Sequence, residues 1–164
     1  NKVAYFVGTA LLADNLTNSD NAAPGLVVMA IVMAAGMTPP LGLALATVLR
    51  PKMFSNAERQ NGKAAWFLGA SFITEGAIPF AAADPVRVLP STMVGSALTG
   101  ALVGVFAVGL RAPHGGVWVF PLVSNPWLYL LAVAIGTVVT ALLVIVAKNI
   151  KPGVSDEALE EAVA

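Results

Sequence analysis

The stretch Ala64–Ala83, AAWFLGASFITEGAIPFAAA, is apolar at both ends and polar at its centre, where Thr74-Glu75-Gly76 is followed shortly by Pro79. A run of this length is about what a helix needs to cross a bilayer at about 1.5 Å of rise per residue. A carboxylate at the middle of such a run costs about 2.5 to 3.5 kcal/mol on insertion scales, and neighbouring Gly and Pro interrupt the helix. Non-helical backbone and a charge are tolerated at that depth only inside protein or beside a wet cavity. The stretch therefore reads as a hairpin that enters and leaves on one side.

The basic residues agree with that topology. The loop Arg50–Lys63 carries Arg50, Lys52, Arg59 and Lys63 against Glu58 alone, which marks it as cytoplasmic under the positive-inside rule. Four more apolar stretches surround it: Val3–Ala13, which is short; Pro24–Leu49; Ser91–Leu110, starting just after Pro90; and Trp127–Ala147. The last has Trp127 and Tyr129 at one end as an interfacial anchor and Lys148 at the other. If Ala64–Ala83 turns back, Lys2, the four loop cations, Arg87, Lys148 and Lys151 fall on the inside and Arg111 alone outside. A full crossing splits them far less cleanly. Letting Ala112–Asn125 cross as well gives the same distribution, but that stretch is short and holds Pro113, His114, Gly115, Gly116 and Pro121. The hairpin is preferred, and a partial dip of Ala112–Asn125 stays open beside it.

Inside Pro24–Leu49, Thr38-Pro39-Pro40 removes two backbone donors, so the expectation is a broken helix, Pro24–Met37 and then Leu41–Leu49. Breaks of this kind place unpaired backbone groups at transporter binding sites.

Composition fits a membrane protein. Of 164 residues 57% are hydrophobic and 11% charged, with nine basic groups against nine acidic ones; the mean hydropathy is +0.81. Zero net charge leaves no electrostatic footprint for nucleic acid. With no Cys and a single His there is no thiolate nucleophile and no zinc ligand set, and no metal or other cofactor is expected. The expected fold is all-α: a polytopic membrane protein with broken helices and a re-entrant hairpin around Thr74-Glu75-Gly76. Residues 1–148 form the membrane domain and 149–164 an acidic tail, with Asp156, Glu157, Glu160 and Glu161 behind a Ser155 N-cap. Asn1 opens the chain with the apolar pattern running by Val3, as in a segment of a longer chain.

Glu75 is the most informative residue, because intramembrane carboxylates generally serve a ligand, a proton path or a partner cation. A carboxylate accepts two hydroxyl donors, a common way of holding sugars, and Thr74 and Gly76 shape the loop around it. Its structural alternatives are to cap the second half of the hairpin or to pair with Arg87. His114, in Ala-Pro-His-Gly-Gly, can donate and accept toward a hydroxylated ligand or sit exposed in a turn. Asp84 and Arg87 suit a local pair at the hairpin mouth. Met29, Met33 and Met37 suit helix packing. Ser96, Gly100 and Gly104 predict close approach of another helix.

The run from Phe72 to Pro85, FITEGAIPFAAADP, strongly resembles the central motif of the fructose-specific enzyme IIC family of the bacterial phosphotransferase system. MTPPLGLALATVL (Met37–Leu49), GKAAWFLGA (Gly62–Ala70), PSTMVGSALTG (Pro90–Gly100) and RAPHGG (Arg111–Gly116) resemble the same family in the same order. The resemblance implies a multi-pass permease of the bacterial inner membrane, a homodimer, that binds a hexose of fructose type. It passes the sugar to a phosphocysteine on a partner IIB domain within a phosphoenolpyruvate-dependent complex. Glu75 would hydrogen-bond the sugar, with Thr74 and Gly76 beside it, and His114 matches a substrate-proximal His-Gly-Gly position. The chain is about half of what the family needs and carries no phosphoryl-accepting Cys, so no catalytic residue is assigned. Two rivals remain: an ion-coupled secondary transporter with Glu75 as its proton or cation site, and a non-transporting membrane scaffold.

Overall fold

A computed structural model of the chain describes residues 24–150. The short span Val3–Ala13, the loop after it and the Ser155-capped tail lie outside the described residues. Five α-helices follow in order: α1 Pro24–Leu49, α2 Asn56–Ala70, α3 Ile78–Ala83, α4 Pro85–Val105 and α5 Pro126–Ile150. Short 3-10 turns occupy Pro51–Met53, Thr74–Ala77 and Gly116–Leu122. Among the described residues there is no strand, only an isolated bridge between Leu110 and Val123, so the chain is all-α as expected. Among the described residues three helices, α1, α4 and α5, are long and apolar enough to cross a membrane.

α1 is the central helix. Ser96, Gly100 and Gly104 of α4 meet Ala35 and Ile31 of α1 in descending order, so the two run antiparallel. The small-residue stripe on α4 is therefore used within the chain, against α1. α5 runs parallel to α1, with Tyr129 at Met37 and Thr140 at Gly42. α4 and α5 interlock reciprocally: a Cβ on Gly95 would collide with Thr140, and one on Gly136 with Thr99. Without a hydrophobic drive between helices in lipid, such close backbone contact is what holds spans together. Met29, Met33 and Met37 lie buried in this core, as helix packing requires.

Three expectations about helices need correction. α1 is continuous through Pro39 and Pro40. In an α-helix residue i donates to the carbonyl of i−4, so the two prolines release the carbonyls of Ala35 and Gly36. Both are filled from outside the helix: the Ser96 hydroxyl donates to Ala35 O at 2.9 Å, and the Thr74 hydroxyl to Gly36 O at 2.9 Å. α4 begins at Pro85, not after Pro90, because Pro85 already suits the first helical turn and Pro90 is carried inside the helix. Tyr129 and Lys148 are not interfacial anchors. Tyr129 is buried with its hydroxyl on the Met37 sulfur at 3.4 Å, while Trp127 is exposed.

Lys148 reaches Glu58 at 2.9 Å and lies 4.3 Å from the centre of the Phe54 ring. Glu58 also closes a capping box at the start of α2, where its carboxylate accepts from Ser55 N and Ser55 Oγ accepts from Glu58 N. One carboxylate thus ties the end of α5 to the base of the hairpin. From there α2 runs back along α1: Gly62 sits against Thr47, Gly69 against Leu41, and Thr74 reaches Gly36. Gly36 lies about 20 Å from the C-terminal end of α1 at helical rise, close to its middle. α3 returns, with Phe80 buried and stacked edge-on against Phe54 at 6.3 Å, and Val88 joins the same cluster as Phe80, Ala44 and Val144. The hairpin enters and leaves at one end of the bundle.

Candidate functional site

The tip of the hairpin is built from a helix that ends in an unusual way. Ile73 N donates to Leu68 O at 2.8 Å and Phe72 N to Gly69 O at 3.1 Å, the two bonds of a Schellman cap. The residue in the left-handed conformation that this cap needs is commonly Gly, but here it is Phe72, with φ of 63°. What holds the ring explains the choice. On one side it lies over Gly36, where a Cβ would stand 2.5 Å from Phe72 Cε2; on the other the His114 ring packs at 5.4 Å. Left-handed backbone at a bulky side chain costs about 1 to 3 kcal/mol and persists where the surroundings enforce it.

Past this turn Thr74 and Gly76 are both anchored. The Thr74 hydroxyl is spent on Gly36 O, and buried Gly76 presses on Leu68 and Pro40, whose Cβ atoms lie 3.1 and 3.3 Å from where its own Cβ would be. Glu75, between them in the 3-10 turn, is exposed. Among the described residues its carboxylate has no hydrogen-bond or ion-pair partner. Arg87 is taken by Asp84 at 2.6 Å, the local pair expected at the hairpin mouth. A carboxylate held by its neighbours yet left unpaired is a ready acceptor for donors from a ligand.

A second element reaches the tip from the opposite end. Leu110 N donates to Leu26 O at 3.0 Å, at the start of α1, and Ser124 N to Gly109 O at 2.9 Å, which pins the neck of a loop. Between these points the loop turns inward. Gly116, at φ of +61°, meets Ala70, Ser71 and Phe72 so closely that a Cβ would stand 2.8 Å from Phe72 N, and Trp118 Nε1 donates to Ser71 Oγ at 3.1 Å. Ala112–Asn125 thus reaches into the bundle as far as the hairpin tip. Exposed His114 is thereby joined to the hairpin through Phe72, not through Glu75 directly.

Comparison with known proteins finds relatives over most of the chain. The chain is 53% identical over 152 residues to the fructose-specific EIIB'BC component of Rhodobacter capsulatus, covering 91% of this chain and 25% of that protein. It is 47% identical over 149 residues to the fructose permease IIC component of Bacillus amyloliquefaciens, covering 91% of this chain and 46% of that one. The fructose-specific EIIABC component of Bacillus subtilis is likewise 47% identical over 149 residues, of which the chain spans 22%. This chain is a relative of the fructose-specific IIC components. It spans between about a fifth and just under half of the length of these relatives. No family model matches, and no solved structure matches.

Phe72, Ser71 and Trp118 escape a reading of the sequence, because each is one small or apolar side chain among many. The signal that was available lies in the two prolines. Two carbonyls released inside an apolar helix require two donors, although the sequence does not say which of the many hydroxyls in the apolar stretches supply them.

Proposed function

We propose that this chain works as the C-terminal half of a fructose-type permease of the phosphotransferase system, in the bacterial plasma membrane. In this assignment residues 1–148 belong to the multi-pass membrane domain and 149–164 to a cytoplasmic tail. The observation that carries it is the unpaired Glu75 carboxylate at the tip of the hairpin, whose Thr74 is bonded near the middle of α1 and whose Phe72 packs against His114. Glu75 accepts hydrogen bonds from sugar hydroxyls, and His114, packed on Phe72, lines the approach from the outer face. The fused names of the relatives, which join EIIB to EIIC, support a IIB domain as partner. In the coupled reaction the S–P bond of a IIB phosphocysteine breaks as a P–O bond forms to a sugar hydroxyl, whose proton is released. This chain contributes position rather than a reacting group. A homodimer, which the resemblance implies, would draw on surfaces other than the Ser96 stripe. An ion-coupled carrier finds no support among the relatives, which are named as phosphotransferase components.

The test is uptake and phosphorylation of labelled fructose by the full-length permease with Glu75→Gln. Apparent affinity should fall by about tenfold or more, since a charge-assisted hydrogen bond to a hydroxyl is worth roughly 1.5 to 3 kcal/mol. Unchanged affinity and rate remove Glu75 from the site, and recovery of unphosphorylated fructose inside would overturn the assignment to this class.

A further inference from the structure

Thr74 and Pro40 lie on different elements, yet the chemistry of one supplies what the other lacks. Pro40 has no N–H, so the Gly36 carbonyl, buried four residues before it, has no helical donor. The Thr74 hydroxyl fills that place from 38 residues away, at 2.9 Å. Gly36 gives the hydroxyl room, since a Cβ there would stand 3.1 Å from Thr74 Oγ1. A hydroxyl has a single hydrogen to donate, and this one is committed to α1.

We infer that Thr74 is a positioning residue: its hydroxyl tethers the tip that bears Glu75 to α1, through a carbonyl open to it because residue 40 is proline. The consequence for sugar affinity rests on the role proposed for Glu75; the tether itself does not. The pairing also accounts for proline in the middle of a spanning helix, at a site where it would otherwise strand a buried acceptor.

The experiment compares Thr74→Ser, Thr74→Val, Pro40→Ala and the double variant Thr74→Val/Pro40→Ala in the full-length permease. It reads thermal stability in detergent, hydrogen exchange of amides 74–77 without sugar, and the KM and kcat of fructose phosphorylation. Thr74→Val should speed exchange at the tip by roughly three- to tenfold, the worth of one hydrogen bond, and raise KM by a similar factor with kcat within about twofold. Thr74→Ser, which keeps the donor, should stay within about twofold of the parent on all readouts. In the double variant the backbone N–H restored at position 40 supplies the missing donor to Gly36 O, so the thermal midpoint recovers while tip exchange stays fast. That variant also reads the tether if Thr74→Val alone does not fold. Unchanged tip exchange in both Thr74→Val backgrounds overturns the proposal, as does a Thr74→Ser variant as impaired as Thr74→Val. Faster exchange with unaltered KM keeps the tether and removes Glu75 from sugar binding.

Discussion

Phe72 shows how much of the site is decided by backbone that a sequence does not display. Thr74, Glu75 and Gly76 stand out as polar or small residues in an apolar run, and their grouping at the tip was legible for that reason. Phe72 looks like any other apolar neighbour, although its left-handed φ and its ring set the distance between α1 and His114. Glycine there relieves the backbone and alanine does not, while both remove the ring. Phe72→Gly should therefore be more stable than Phe72→Ala by about 1 kcal/mol in thermal unfolding. Both should lose fructose affinity to a similar degree in transport assays. Equal stability of the two would mean that the turn relaxes without the ring.

At the scale of elements, proline rules applied to one helix at a time gave the wrong answer for α1. The donors that keep it whole come from Ser96, 61 residues away, and from Thr74, and local sequence does not place either against the helix. Ser96→Ala should cost about 1 to 3 kcal/mol by stranding the Ala35 carbonyl, measured as a loss of thermal stability in detergent. The α4–α5 contact was equally hidden, since Gly95 and Gly136 acquire meaning only when Thr140 and Thr99 face them. Gly136→Ala should lower the thermal midpoint by forcing the helices apart, and adding Thr99→Ala should restore part of the loss. No recovery in the double variant would show that the Gly95 backbone, rather than the Thr99 side chain, sets the limit.

For the molecule as a whole, the return of the hairpin to the end of the bundle it left was legible from the sequence, because a carboxylate with Gly and Pro beside it interrupts an otherwise spanning run. The structure adds a contact that joins the end of α5 to the base of the hairpin. Lys148 at the end of α5 and Glu58 at the base of the hairpin are paired and almost wholly buried. Lys148→Met leaves a buried carboxylate without its cation and should cost about 3 to 5 kcal/mol, whereas Lys148→Met with Glu58→Gln should cost clearly less. Thermal unfolding of the two variants separates these outcomes. The proposed sugar site depends above all on a hairpin that carries Glu75 into the membrane and returns to the face it left. The chain from 1 to 164 contains no cysteine, so single cysteines at Lys63, Pro85 and Pro113 can be labelled with an impermeant maleimide in oriented vesicles of the full-length permease, once cysteines elsewhere in it are replaced by serine. Positions 63 and 85 should react from the cytoplasmic side and position 113 from the other; labelling of 63 and 85 from opposite faces would contradict the account.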